Sequence, residues 1–189
     1  GRVTGVQTCA LPIGGADTHR AQTFASLVQG LALIRLSNTF DQAFIVDETT
    51  SLDDPNALPT MSPYMEVHAA GLAKLDAAIS MAGQGSFTIP ASWVGDDGTW
   101  TNTRLAQIAH GFKARAMVSV ARTEADRTGT NWSAVLSEVN AAHTEDFNTV
   151  HDDVNWAWDR LKVHAGSNDI WARLDLRYLG PADQSGAYQ

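Results

Sequence analysis

The chain has 189 residues, 44% apolar and 18% charged, a composition that fits a globular domain and excludes a disordered polymer. Its net charge of −8 argues against a nucleic-acid partner, which requires a basic stripe. No apolar run of about eighteen residues is present to span a bilayer, and the single cysteine, Cys9, allows no disulfide within one chain.

The opening GRVTGVQTCALPI lacks the basic-then-apolar order of a signal peptide. It resembles translated sequencing-adapter read-through, so residues 1–13 are set aside as a non-native leader; the competing reading is an ordinary N-terminal strand. On the leader reading, 14–189 is part of a helical domain whose natural ends lie beyond both termini. Thr18 to Phe40 then reads as a first long helix. Phe24, Leu27, Val28, Leu31, Ile34 or Arg35, and Leu36 recur near a 3.6-residue period, with Asp17 or Thr18 as cap. Gly30 inside it costs about 1 kcal/mol against alanine, which points to a close backbone neighbour.

Asp41 to Met61 is a long acidic connection in which Phe44, Ile45 and Val46 either pair as a short strand or pack as a plug. Ser62 to Gly83 is the most regular stretch. Tyr64, Val67, Gly71, Leu72, Leu75, Ala78, Ile79 and Ala82 form one apolar stripe. Ser62 is placed to cap it, Pro63 to occupy its first position, and Gly83 to end it in the left-handed conformation. Such a helix, about 30 Å long, needs a partner along its stripe.

Glycines, prolines and Asp96-Asp97-Gly98 mark turns in the following loop, which carries Phe87, Ile89, Trp93, Val94 and Trp100. Thr101 or Thr103 opens a third helix to about Arg122, with Leu105, Ile108, Ala109, Phe112, Ala116 and Val120 as its stripe. A short turn is expected over 123–128. Asn131 caps a fourth helix whose face is Trp132, Val135, Leu136 and Val139, with Trp132 expected in the core, and 139–147 is expected to be a loop. Beyond it, 155–164 reads as a short helix, and the alternation over 170–179 favours an extended segment, with a short helix as the alternative. Val67-His68-Ala69-Ala70-Gly71-Leu72 in the second helix is near in style to Ile108-Ala109-His110-Gly111-Phe112 in the third, which hints at hairpin repeats of the tetratricopeptide kind.

Residues with chemistry are scattered. His143, Glu145, Asp146, His151, Asp152 and Asp153 cluster, but their spacing matches no metal motif. His68 and His110 fall beside apolar faces, as interhelical histidines bonded to carbonyls do. No nucleophile elbow, Gly-rich phosphate loop or paired-carboxylate motif is present, so neither a catalytic residue nor a cofactor is assigned. Arg104, Arg115, Arg122, Arg127, Arg173 and Arg177 are expected mostly to bridge helices through their fixed fork. The loop tryptophans suit stacking on a sugar face as well as plugging gaps between helices.

Several spaced blocks together resemble the SusD/RagB family: RAQTFASLVQGLALIRLSNTFDQAFIVDE, PYMEVHAAGLAKLDAAI, FTIPASW, RLAQIAHGFKARAMVSVARTEADR, NWSAVL and WARLDLRYLGPADQSGAYQ. The resemblance implies a mainly α fold of tetratricopeptide-like hairpins with long loops. It also implies a non-enzymatic lipoprotein on the outer face of the outer membrane, which captures glycans or similar nutrients for a SusC-like TonB-dependent transporter. The lipid-bearing N-terminal cysteine of that family has no counterpart here, because Cys9 lies in the suspected leader. Trp93, Trp100, Trp156 and Trp158 are the candidate ligand-stacking residues. A tetratricopeptide-like scaffold for peptide segments is the alternative, and a helical hydrolase using the Glu145 to Asp153 cluster is the third.

Overall fold

A computed structural model describes residues 16–50, 59–94 and 100–145, and the expected elements at 155–164 and 170–179 lie outside them. The described fold is mainly α. In chain order it comprises α1 (Ala16–Thr39), β1 (Gln42–Ala43), β2 (Ser62–Pro63), α2 (Tyr64–Ala82), β3 (Thr88–Ile89), α3 (Ala91–Val94), β4 (Trp100–Thr101), α4 (Asn102–Ser119), α5 (Glu124–Thr128) and α6 (Trp132–Ala141). Two short antiparallel pairs, β1 with β2 and β3 with β4, tie the loops together.

The four long helices form a row in which α1 packs along α2, α2 against α4, and α4 against α6, while α1 meets α4 only in passing. Each step is antiparallel. His19 in the first turn of α1 bonds to Met81 at the end of α2, and Asn102 at the start of α4 bonds to Ala82. At the opposite end, the Tyr64 N–H donates to the Asp41 carbonyl at 2.8 Å.

The α1–α2 contact is the closest. A methyl group on Gly30 would lie 2.9 Å from Leu75 and 3.0 Å from the Gly71 carbonyl, and one on Gly71 would lie 2.8 Å from Ile34. The two glycines bring the backbones together, and Leu27, Leu33, Val67, Leu75 and Ala78 fill the seam with little or no exposure. The seam also holds polar residues. Thr23 and Ser37 are fully buried, but each hydroxyl donates to a carbonyl in its own helix, His19 and Ile34 respectively. His68 is 4% exposed, with Nδ1 3.5 Å from the Ser37 hydroxyl. Burial holds its pKa below the ordinary histidine value, because the charged imidazolium loses its water.

Several expected details differ. Ser62 and Pro63 pair with Ala43 and Gln42 instead of opening α2, so Pro63 is the residue before the helix and no side chain caps it. Phe44, Ile45 and Val46 form no strand, because the pairing is taken by the two residues before them. Gly83 is right-handed, with φ of −74°, because the chain continues into one more turn. The α4 start follows expectation, with Thr101 accepting the Arg104 N–H at 3.2 Å; in place of the expected short turn, α5 forms, opened by a reciprocal capping box of Thr123 and Asp126. Asn131 caps α6 as expected, but the helix runs to Ala141.

The α6 face is the largest departure. Trp132, expected in the core, is 58% exposed, Leu136 is equally exposed, and only Val135 of that helix is buried. An apolar period shows which side of a helix is apolar, not that a neighbour covers it.

Arg122 closes the other end of the row. Its guanidinium donates to the Ser37 carbonyl at 2.7 Å and the Phe40 carbonyl at 2.8 Å, pairs with Asp41, and lies 3.8 Å from the Tyr64 ring centroid. A cation is thus placed on the open carbonyls of the α1 C-terminus, where the helix dipole favours it. Loop residues after β1 are fastened as well. Asp47 accepts the Thr49 N–H and hydroxyl, and Glu48 pairs with Lys74 of α2 at 2.6 Å. These bonds hold both carboxyls below the usual carboxylate range.

Candidate functional site

The antiparallel order brings the start of α1, the end of α2, the start of α4 and the end of α6 to the same end of the row. Two features meet there. The first is aromatic. α3 begins after Pro90, whose carbonyl accepts the Trp93 N–H at 2.9 Å, and this turn lays the indole against α1. The Phe24 ring lies 5.4 Å from it, tilted at 46°, and the Arg20 guanidinium lies 5.5 Å from its centroid. Trp93 remains 37% exposed. An aromatic ring fixed by two neighbours and open on the rest is a rigid platform for a flat apolar face.

The second feature is a polar cleft of about 300 Å3 lined by Thr101, Thr103, Arg104, Gln107, His143, Thr144 and Glu145. One wall is the first two turns of α4. The other is the chain just after α6. Arg104 pairs with Glu145 at 2.9 Å across the mouth. Gly111 makes room for the His143 ring, since a methyl group there would stand 3.2 Å from its Cε1. The lining mixes donors on Arg104 and Gln107 with acceptors on Glu145, and hydroxyls that serve as both, the set that a polyhydroxylated ligand requires.

The β3–β4 pair joins the two features. Thr88 stands opposite Thr101 in that pair, and its carbonyl lies 3.5 Å from Arg20. Arg20 thus touches Trp93 at one corner, and Thr101 lines the cleft at the other.

The expected ligand-stacking residues separate. Trp93 is on this surface. Trp100, opposite Ile89 in the β3–β4 pair, is 3% exposed and presents no ring face to solvent. Trp156 and Trp158 lie outside the described residues, as do Asp146, His151, Asp152 and Asp153. Of the expected acid and histidine cluster, His143 and Glu145 are described, and both line the cleft.

His110 bonds to a carboxylate, not to the expected carbonyl: its Nδ1 lies 2.6 Å from Glu138. Sequence reasoning missed both Glu138 and the pairing of Arg104 with Glu145. The local signals for the cleft were His143 and Glu145 in the acid and histidine cluster, and Thr101 three residues ahead of Arg104, an N-cap position. Among the described residues, no group of three or more His, Cys, Asp or Glu side chains is placed to hold a metal ion, and no helix is long and apolar enough to cross a membrane. Compared with protein-family models, curated proteins and solved structures, the chain finds no match.

Proposed function

We propose that this chain is a non-enzymatic nutrient-binding protein of the SusD/RagB type, which captures glycans at the outer face of the outer membrane for a SusC-like TonB-dependent transporter. The observation that carries the reading is the surface just described: a fixed, partly exposed indole joined through a β-pair to a cleft of mixed donors and acceptors. Trp93 would stack on the apolar face of a sugar ring. Arg104, Gln107, Glu145 and the threonine hydroxyls would bond the ring hydroxyls. The row of antiparallel helices supports the tetratricopeptide-like scaffold that the family resemblance implies.

The test is affinity electrophoresis through gels containing soluble neutral polysaccharides, together with co-purification from cells expressing the neighbouring barrel transporter. At least one polysaccharide should retard the protein. Trp93→Ala should weaken that binding by about 1 kcal/mol, roughly fivefold. A protein that no polysaccharide retards and that brings down no barrel refutes the proposal.

One observation favours the alternative scaffold for peptide segments. An apolar groove of about 410 Å3 runs along α1, lined by Ala32, Leu33, Leu36, Phe40, Phe44 and Val46 among others. Soluble client proteins in the same pull-down, with no barrel, would favour that reading.

A further inference from the structure

α6 has little apolar hold on the row. Val135 is its only buried residue, and Trp132, Leu136 and Val139 are each more than half exposed. Its contact with α4 is also ionic. Glu138, 16% exposed, places one carboxylate oxygen 2.6 Å from His110 Nδ1 and the other 2.7 Å from Lys113 Nζ. Lys113 also reaches Asp76 on α2 at 2.6 Å, so a single chain of charges ties three helices. Immediately after α6 come His143, seated at Gly111, and Glu145, paired with Arg104. The second wall of the polar cleft therefore hangs from α6.

We infer that Glu138 is the positioning residue of the cleft: its carboxylate latches α6 to α4, and when that charge is lost α6 leaves with His143 and Glu145 while α1, α2 and α4 stay folded. The latch is a property of this fold; its bearing on ligand capture rests on the reading proposed above.

Among the described residues, the charged groups facing Glu138 are His110 and Lys113 on α4, with Asp76 on α2 competing for Lys113. Both direct partners donate to it, so the latch is closed while Glu138 is ionised and loosens as acid protonates it. Burial of Glu138 opposes ionisation, but the bonds from Lys113 and His110 outweigh it and hold its pKa below the ordinary glutamate value.

Hydrogen exchange at neutral pH tests the inference on the full chain, comparing wild type with Glu138→Gln, Glu138→Leu and Asp76→Asn. In both Glu138 variants the amides of 132–145 should exchange at least about tenfold faster, the scale of a charge-assisted bond. Those of 64–82 and 102–119 should keep their protection. The Arg104 side-chain NMR signal should shift as Glu145 departs, and Asp76→Asn should leave 132–145 unchanged. Unaltered exchange at 132–145 in Glu138→Leu overturns the latch, and so does equal acceleration throughout α2 and α4. The same variants in polysaccharide gels separate the two claims. Loss of retardation together with α6 release supports the latch as the control of capture. Release of α6 with retardation intact supports the latch and removes the cleft from the proposed function.

Discussion

Gly30→Ala sets two effects of opposite sign against each other. Alanine in a helix interior gains about 1 kcal/mol over glycine. The added methyl group would lie 2.9 Å from both Cγ and Cδ2 of Leu75 and 3.0 Å from the Gly71 carbonyl oxygen. Ordinary carbon contacts lie at about 3.5–4.0 Å. Leu75 is fully buried, and the carbonyl belongs to the backbone of α2, so neither yields freely. Overpacking of this kind costs about 1–3 kcal/mol, and the helices must part by several tenths of an ångström. The net expectation is a loss of up to about 2 kcal/mol, read as a urea midpoint lowered by up to about 1 M. Gly83→Ala is the control. Its φ is −74° and the nearest atom to its methyl group would be 3.4 Å away, so it should be neutral or stabilising by up to about 1 kcal/mol. If Gly30→Ala stabilises the protein as Gly83→Ala does, the close packing of α1 on α2 is refuted.

Two further predictions concern stability. His68 is neutral in the fold, with its pKa below the value of 6.5 that it has when unfolded, so the unfolded state binds the extra proton first. Its contribution to stability is complete above pH 6.5 and is lost as pH falls towards the lowered value. His68→Gln should flatten that part of a urea midpoint profile measured between pH 8 and pH 5.5, and an unchanged slope refutes the assignment. Arg122→Ala should cost about 1–2 kcal/mol through the two carbonyls and the Tyr64 ring left behind, and Arg122→Lys should recover less than half, because an ammonium has no second nitrogen for Asp41 and no flat face for the Tyr64 ring. Full recovery by lysine would show that charge alone matters there.

The helices were legible where one stripe is buried on one neighbour. Val67, Gly71, Leu75, Ala78 and Ala82 stand in the α2 seam as their spacing implies, and Gly30 marks a close approach as its cost implies. The ends were less legible, because cross-chain pairing decides them: Ser62 and Pro63 read as a helix start until β1 claims them. In α1 the buried side includes Thr23 and Ser37, which hydropathy assigns to solvent, while Val28 is 48% exposed. Intrahelical bonds satisfy those hydroxyls, and this is invisible to an apolar period. The cleft was the least legible part. Arg104 and Glu145 are 41 positions apart, and His110 and Glu138 are 28 apart. Nothing local in a single sequence announces such partners.

Because each long helix leans chiefly on the one before it and the one after it, disturbance in this molecule decays with distance along the row. A lesion at the Gly30–Gly71 seam is felt by α1 and α2, and α6 hardly notices. Among the described helices, melting should accordingly begin at the weakly held α6 and proceed step by step towards α1, a zipper opened from its loose tooth. Evolution acting on such an architecture can lengthen a connection or reshape one flank without renegotiating the whole.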